Sequence, residues 1–326
     1  MPPSVMAQPH LVQDHSEDFA AAVRLGMSHP QKTIPARFFY DQTGSELFEA
    51  ITRLPEYYPT RAEIEILTSK AATIASHIGP GRAVIEFGSG SSAKTPLLLS
   101  AIAPAAYVPV DISADFLHDS AAALADAFPG LPVLPVAADF TRPFRLPASL
   151  SGQPRLGFFP GSTIGNLAPM AAVDLLRSFA TTLGQDSWLL IGLDLAKDRE
   201  TLEAAYDDAQ GVTAAFNINL LHRINRELGG TICTEDFKHR AVWNADLSRI
   251  EMHLVASRTT RFTAAGQSIF MAEGEYIHTE NSYKWTRAEA RLLARASGWA
   301  PMADWTDSQH RFALHLWQRE TGTLQP

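Results

Sequence analysis

The sequence predicts an α/β fold in which a doubly wound parallel sheet is joined by a second domain. Between residues 83 and 193, five short apolar runs with strand character are mostly separated by helical patterns. This alternation is typical of parallel sheets, because parallel neighbours need a crossover connection. A block at residues 200–285 then breaks the alternation, and one more helix and strand follow it. We interpret this block as an insertion that helps to build the second domain.

The N-terminal segment predicts helices ahead of the sheet. Phe19, Val23 and Met27 recur every fourth position, as on the apolar face of an amphipathic helix. Pro55 and Pro59 then interrupt the chain, since proline disrupts a helix interior. The expected helices cover residues 14–27, 45–52 and 61–77.

The central region predicts five strands that are mostly separated by helices. The expected strands cover residues 83–86, 107–110, 133–137, 155–159 and 187–193. The expected helices between them cover residues 95–101, 114–128 and 170–183. Parallel strands with right-handed crossovers end at one edge of the sheet, and ligands bind there. We therefore expect the functional site at these strand ends.

The block after residue 200 predicts a long helix, broken at Gly211, and then strands. The expected elements are a helix at 202–228, strands at 249–257 and 261–270, a helix at 287–297 and a strand at 312–318. The economical division gives one domain to residues 1–61 and 198–286, and the sheet domain to residues 62–197 and 287–326. We expect the first of these domains to cover the site.

Composition and charge exclude several classes of function. The 326 residues carry a formal net charge of −8, which speaks against a nucleic-acid partner. No apolar run approaches the roughly 20 residues of a membrane span, so no membrane partner is expected. Cys233 is the one cysteine and cannot form an internal disulfide, which favours the cytoplasm. We expect a monomer. We also expect no metal site, since His222, His239 and His253 are scattered along the chain.

A glycine-rich turn after the first strand predicts a nucleotide site. The run VIEFGSGS at residues 84–91 ends an apolar strand, and a helical pattern follows it. Gly88 and Gly90 allow a tight turn and a close approach of ligand to backbone. The dinucleotide fingerprint needs a third glycine, and Ser91 and Ser92 stand there instead. The turn is more similar to those of S-adenosylmethionine methyltransferases than to those of dehydrogenases.

Acidic residues end the next two strands. Asp111 lies 25 residues after Glu86, near the spacing of about 20 expected for an acid that binds ribose hydroxyls. Asp139 and Phe140 end the third strand, where an acid and an aromatic ring can enclose adenine. Each acid alone is more often a helix cap, but acids at successive strand ends favour binding. An NAD or flavin site is the alternative, and no residues for hydride transfer accompany it.

The fourth strand ends in the loop FFPGSTIGN at residues 158–166. Gly161 and Gly165 permit close backbone approach, and Asn166 offers a donor and an acceptor. This is where a methyl acceptor would lie. A plain glycine-rich turn with Asn166 as a helix cap explains the pattern equally well.

Longer motifs carry a resemblance to a known family. They are FYDQTGSELF at 39–48, ITRLPEYYPTR at 51–61, GSTIGN at 161–166, AYDD at 205–208, GVTAAFN at 211–217, NREL at 225–228 and TENSYKW at 279–285. Through them the chain, from about Arg37 to its C-terminus, resembles the L-histidine Nα-methyltransferases of ergothioneine biosynthesis. The resemblance implies a class I methyltransferase domain, Rossmann-like, with a substrate-binding domain built from the N-terminus and an insertion. It implies that S-adenosylmethionine is bound by Gly88, Lys94, Asp111, Asp139 and Phe140.

The same resemblance implies the substrate residues. Asn166 and Tyr206 would hold the carboxylate, Tyr40 and Tyr58 would lie near the α-amine, Glu280 and Ser282 would hold the imidazole, and Met252 and Phe48 would line the pocket. Glu280 and Ser282, two residues apart on an extended segment, project from the same face and can address both ring nitrogens. Without the family, an ordinary polar strand face and packing tyrosines are the plainer interpretations.

The resemblance therefore implies methyl transfer from S-adenosylmethionine to the α-amine of free L-histidine, three times, giving hercynine. Rings of Tyr40, Tyr58 or Phe48 can favour the quaternary cation. No dedicated base is evident, so a tyrosine-bound water relay and deprotonation before binding both stay open. The alternatives are an Nα-methyltransferase for another aromatic amino acid such as tryptophan, and a non-catalytic S-adenosylmethionine-binding protein.

Overall fold

The protein contains a seven-stranded sheet and a four-stranded sheet. The structure is a computed structural model that describes residues 15–90 and 94–320. The expected helix start at residue 14, and Ser91 and Ser92 of the glycine-rich turn, lie outside the described residues. The helices are α1 (His15–Ser28), α2 (Gln42–Ile51), α3 (Tyr58–Ile78), α4 (Thr95–Ile102), α5 (Ala114–Ala127), α6 (Pro169–Leu183), α7 (Arg199–Tyr206), α8 (Val212–Leu228) and α9 (Arg287–Ala296).

The strands alternate with these helices in the first half of the chain and cluster in the second half. They are β1 (Lys32–Thr33), β2 (Ala83–Phe87), β3 (Ala106–Asp111), β4 (Val136–Ala137), β5 (Arg155–Phe159), β6 (Trp188–Asp194), β7 (Phe237–Asn244), β8 (Arg249–Ala256), β9 (Thr260–Ala264), β10 (Gln267–Met271), β11 (Tyr276–Tyr283), β12 (Trp299–Thr306) and β13 (Phe312–Arg319).

The seven-stranded sheet has the order β12-β13-β6-β5-β2-β3-β4. Neighbours from β6 to β4 run parallel, as expected for strands joined by crossover helices. β13 runs antiparallel to both β6 and β12, so the sheet is mixed at one edge. Along β2, Ile85 and Phe87 pack in the cluster that contains α6 and α9, while Val84 packs against α3 and α4. Helices therefore cover both faces, which confirms the predicted α/β fold class.

The four-stranded sheet joins the N-terminal segment to the strands that follow residue 200. Its order is β1-β11-β8-β7, and β1 pairs in parallel with β11, Lys32 opposite Ile277. One apolar cluster combines α1, α2 and α8 with these strands, including Phe19, Phe39 and Phe216. The N-terminal segment and the insertion thus share a sheet and a core.

The structure differs from the sequence predictions at several elements. The single strand expected at 261–270 is the hairpin β9–β10, because Ala265 and Gly266 both adopt positive φ, as a two-residue hairpin turn requires. β7 and β12 were not anticipated from the sequence. α3 begins at Tyr58, since Pro59 is favoured in the first turn of a helix. The expected domain boundary after residue 61 therefore falls inside α3.

The two sheets meet at the carboxyl ends of the parallel strands. Trp285, just past β11, donates its backbone N–H to the carbonyl of Asp194 at the end of β6, at 3.0 Å. This contact brings the end of β11 against the end of β6. Within the described part of the chain, no helix is both long and apolar enough to cross a membrane.

Candidate active site

A cavity of about 570 Å³ lies between the strand ends and the second domain. A smaller cavity of about 60 Å³ adjoins it deeper in the second domain. The two share wall residues, which are Tyr40, Phe48, Tyr57, Gly161, Thr163, Asn166 and Glu280. The arrangement provides room for a large group and an adjoining small one.

The residues predicted to bind the cofactor all line the large cavity: Gly88, Lys94, Asp111, Asp139 and Phe140. Gly88 has a φ of 72°, and a Cβ there would lie 3.2 Å from a ring carbon of Phe140. Glycine therefore keeps the wall open beside the ring. Asp111 orders the same turn, because its carboxylate accepts from the backbone N–H of Gly90 at 3.0 Å and of Ser113 at 3.0 Å.

Lys94 carries a partner that the sequence analysis missed. Its ammonium lies 2.5 Å from the carboxylate of Glu63 on α3, and Glu63 has 0% exposure. The N–H of Gly161 donates to the same carboxylate at 3.0 Å. Glu63 therefore ties Lys94 to the glycine-rich loop after β5. Its sequence signal is a charge on the helical face that also buries Ile66 and Leu67.

Glu86 is buried at the end of β2 and lies in the wall of the large cavity. Its Oε2 accepts from the hydroxyls of Tyr107 at 2.6 Å and Thr95 at 2.7 Å. Burial raises the pKa of the Glu86 carboxyl to about 7, against the opposing effect of these hydrogen bonds and of Lys94. The side chain therefore connects the end of β2 to the start of α4 and to β3.

The predicted substrate residues converge on the smaller cavity, whose wall contains Tyr40, Phe48, Asn166, Tyr206, Met252, Glu280 and Ser282. Glu280 and Ser282 lie on β11 opposite Met252 and Ile250 of β8, which places both on one face of the sheet. Glu280 lies in the wall of the cavity, with its carboxyl largely removed from solvent. This burial raises the pKa of the carboxyl to about 7, although the charge of Lys284 opposes the shift.

Tyr58 is a correction to the predicted site. Its hydroxyl donates to the carboxylate of Asp194 at 2.8 Å and accepts from Lys197 at 2.6 Å. Among the described residues that line the two cavities, its neighbour Tyr57 is present and Tyr58 is absent. The two adjacent side chains at the start of α3 point in different directions, so Tyr57 reaches the cavity while Tyr58 points toward Asp194. The sequence motif EYYP offered no signal to choose between them.

Aromatic rings surround the passage between the cavities. Phe48 packs edge-on against Tyr40 and Tyr57, with ring centroids 5.7 and 6.2 Å apart. Tyr57 also packs edge-on against Tyr206 at 6.2 Å. Burial, and then the charge of Glu280 among other groups, raises the pKa of Tyr40, Tyr57 and Tyr206 well above the usual range. These hydroxyls are therefore neutral donors near neutral pH.

A buried lysine beyond the cavity wall also escaped the sequence analysis. Lys284, with 2% exposure, donates to the hydroxyls of Tyr206 at 2.9 Å and Ser282 at 2.8 Å. It forms an ion pair with Asp194 at 2.7 Å. Burial alone would raise the pKa of the Asp194 carboxyl, but Lys284 and Lys197 together lower it. The motif that carries Glu280 and Ser282 contained the only sequence signal for this residue.

His253, which the sequence analysis treats as isolated, lies in a polar cluster with Glu251 and His278. Their possible ligand atoms lie within 4.8 Å of one another. His253 Nε2 lies 3.0 Å from one oxygen of Glu251, and Arg249 donates to the other oxygen at 2.6 Å. Hydrogen bonds within the protein thus account for the cluster. The absence of a metal site stays a prediction.

Comparisons with known proteins agree with this geometry. Residues 19–319 match the family model described as histidine-specific methyltransferase, SAM-dependent. The chain is 40% identical over 304 residues to histidine N-alpha-methyltransferase from Mycolicibacterium smegmatis, covering 90% of this chain and 92% of the relative. It is also 40% identical over 297 residues to the protein of that name from Mycobacterium tuberculosis, covering 89% and 92%.

A solved structure shows the same fold. The CcbJ methyltransferase from Streptomyces caelestis is similar with a TM-score of 0.50 and 15% identity, over 86% of this chain and all of that one. At this identity the likeness supports the fold alone. The match of the family model and the two relatives cover most of the chain. The chain therefore belongs to the family of histidine-specific, S-adenosylmethionine-dependent methyltransferases.

Proposed function

We infer that this protein transfers a methyl group from S-adenosylmethionine to the α-amine of free L-histidine. The observation that carries the inference is a pair of adjoining cavities with different chemistry. The large one lies at Gly88, Asp111 and Phe140, at the ends of parallel strands. The small one ends at Glu280 and Ser282. The first suits a nucleoside and the second suits a polar ring.

S-adenosylmethionine fits the large cavity in size and chemistry. Its volume is within the range of roughly 300–1,000 Å³ of small-molecule and cofactor sites. Asp111 would accept hydrogen bonds from ribose hydroxyls, while Asp139 and Phe140 would hold the adenine. Lys94 would reach the carboxylate of the cofactor, since Glu63 accepts only one of its N–H groups. When bound, the cofactor supplies a methyl group activated by a sulfonium.

Histidine would bind across the smaller cavity. Asn166 and Tyr206 would donate to its carboxylate, because neutral donors satisfy an anion in a site with little water. Glu280 and Ser282 would hold the imidazole, and Met252 would pack beside the ring. This arrangement leaves the α-amine near Tyr40 and Tyr57, at the opening to the large cavity. We assign to Tyr57 the place that the sequence analysis expected for Tyr58.

The reaction depends mainly on positioning. The neutral amine nitrogen forms a new N–C bond with its lone pair while the S–C bond breaks and its electrons stay on sulfur. The tyrosines that face the amine keep their protons near neutral pH, so they are poor bases. We propose that the amine is deprotonated before it binds. Rings of Tyr40, Phe48 and Tyr57 would favour the growing positive charge.

We further propose that the transfer occurs three times and gives hercynine, as a first step of ergothioneine biosynthesis. The amine must lose a proton before each further transfer, and the third transfer leaves a quaternary nitrogen. We propose a cytoplasmic monomer as well, which is consistent with the single, exposed cysteine Cys233.

A panel of the twenty amino acids with isotope-labelled S-adenosylmethionine tests this function. Mass analysis should show labelled methyl groups on histidine, up to three per molecule, and little label on the other amino acids. A site that hydrogen-bonds polar ring atoms rejects analogues without them by about 10⁴–10⁵. Label on tryptophan or tyrosine but not histidine would establish the alternative substrate. Tight cofactor binding with no turnover would establish the non-catalytic alternative.

A further inference from the structure

Lys284 is a buried cation at the back of the smaller cavity. It follows Ser282 by two residues at the end of β11, and its side chain has 0% exposure. Its ammonium has three acceptors: Asp194 at 2.7 Å, Tyr206 at 2.9 Å and Ser282 at 2.8 Å. An ammonium has three N–H groups, so each can serve one acceptor. The position of this nitrogen is therefore defined by three groups.

The two hydroxyls that accept from Lys284 also bond to each other. Tyr206 Oη and Ser282 Oγ lie 2.7 Å apart, and either can be the donor. Their mutual bond uses one of their two hydrogens. The second hydrogen has no partner among the described residues and can serve a ligand, since both side chains line the smaller cavity. The pair thus presents one donor, with a positive charge directly behind it.

We propose that Lys284 is a positioning residue for the amino-acid substrate, an inference that rests on the proposed function. Because Lys284 donates to both hydroxyls, neither hydroxyl hydrogen points at its nitrogen. In the proposed arrangement Ser282 donates to Tyr206, and Tyr206 donates to the substrate carboxylate. Ser282 then accepts from an N–H of the imidazole. The ammonium lies 2.9 Å behind the Tyr206 hydroxyl, so its positive charge strengthens the hydrogen bond from Tyr206 to the carboxylate.

This hydrogen-bond count also assigns a proton to the other end of the ring. If one imidazole N–H faces Ser282, the second ring nitrogen faces Glu280. That contact is a hydrogen bond only when the ring and Glu280 share one proton between them, either as imidazolium with carboxylate or as imidazole with carboxylic acid. The ionisable groups that face Glu280 are Lys284, Tyr40, Tyr57 and Tyr206.

Lys197 provides a matched control for this role. It also binds Asp194, at 2.6 Å, and donates to Tyr58 at 2.6 Å. It contacts neither Tyr206 nor Ser282 within the described hydrogen bonds. Loss of either lysine removes one cation from Asp194, but only loss of Lys284 changes the hydroxyl pair.

The test compares Lys284→Met with Lys197→Met in steady-state kinetics, with the dissociation constant for S-adenosylmethionine from calorimetry. Lys284→Met should raise the KM for histidine at least about tenfold, as expected for a lost charged hydrogen bond in the site. The dissociation constant of the Lys284→Met variant for S-adenosylmethionine should stay within about twofold of the wild-type value. Lys197→Met should change the KM for histidine by less than about threefold.

Lys284→Met leaves Asp194 with fewer cations and can fail to fold for that reason, so Lys284→Met/Asp194→Asn removes both charges together. A wild-type KM for histidine in either folded variant would overturn the role of Lys284. An equal rise in KM for both lysine variants would also overturn it, since general loosening around Asp194 would then explain the effect. Absence of histidine methylation by the wild-type enzyme would instead overturn the proposed function.

Discussion

At the scale of single residues, the account depends on a few polar atoms in an aromatic setting. Glu280 faces the cavity with a carboxyl whose pKa is raised to about 7 by its surroundings. Such a group carries or releases a proton near neutral pH and can match either form of an imidazole. An apolar substrate ring would leave it without a partner, which costs binding free energy. In the proposed site, the preference for a polar ring therefore depends largely on Glu280.

Replacing Glu280 by alanine should therefore change substrate choice. We expect Glu280→Ala to lower kcat/KM for histidine by about 10- to 100-fold through a higher KM, because the ring nitrogen loses its partner. Activity toward tryptophan should rise relative to histidine, since the unpaired carboxyl is gone. Glu280→Gln is the control that keeps the shape. Kinetics with histidine, tryptophan and phenylalanine would contradict the role of Glu280 if the preference for histidine is unchanged.

The two adjacent tyrosines should have separable roles. Tyr57→Phe removes a hydroxyl from the cavity wall and should raise the KM for histidine severalfold with little change in thermal stability. Tyr58→Phe removes a donor to Asp194, so the melting temperature should fall by a few degrees while the KM stays near wild type. Kinetics and calorimetry on both variants check this. The reverse pattern would restore Tyr58 to the site.

At the scale of elements, hydrogen bonds to two carboxylates fix the glycine-rich turn and the strand before it. Glu86 accepts from the hydroxyls of Tyr107 and Thr95, and Asp111 accepts from the backbone N–H of Gly90. The folded state therefore keeps a buried carboxyl in the wall of the large cavity. Burial of that group raises its pKa and makes stability depend on pH.

The sign of that dependence follows from the raised pKa of Glu86. The carboxyl has its ordinary pKa of 4.5 in the unfolded chain and a pKa of about 7 in the folded protein. Between these two pH values, the unfolded chain has released the proton while the folded protein still holds it. Stability therefore falls as pH rises through this window. Glu86→Gln removes this contribution, so its melting temperature should gain several degrees relative to wild type from pH 5 to pH 8. Calorimetry that finds a constant difference across this range would contradict the raised pKa.

Elements with a clear period were predictable and elements with mixed exposure were not. β2, β3, β5 and β6 are largely apolar because helices cover both faces of the sheet. The helices between them each show one apolar face. β7 has Lys238 and Arg240 between apolar residues and only partial burial, so its pattern is weak. The glycine-rich turn and the acids at the strand ends indicated the candidate cofactor residues, and the resemblance to the family supplied the candidate substrate residues. Tyr57, Glu63 and Lys284 needed the fold, since their role depends on where the backbone turns.

At the scale of the whole molecule, we propose that the N-terminal segment and the insertion form one discontinuous domain. β1 pairs with β11, and α1 and α2 share an apolar core with α8 and the strands of the insertion. The same domain contributes Tyr40, Tyr57 and Glu280 to the walls of both cavities. The proposed site therefore needs the N-terminal segment and the insertion to come together.

Limited proteolysis tests this organisation. We expect that cuts near both residue 198 and residue 286 do not release residues 198–286 as a stable unit, because this segment lacks β1, α1 and α2. Mass spectrometry of native fragments should find the insertion associated with the N-terminal segment. Release of a folded 198–286 fragment, free of the N-terminus, would contradict a shared domain.

The most direct test of the central claim is the position of the transferred methyl groups. L-histidine is incubated with enzyme and S-adenosylmethionine carrying a ¹³C-labelled methyl group, and the product is analysed by NMR. The proposed site holds the imidazole at Glu280 and Ser282 and leaves the α-amine at the large cavity. We therefore predict label only on the α-nitrogen, ending as three equivalent methyl groups. Label on a ring nitrogen, or none on histidine, would contradict the account.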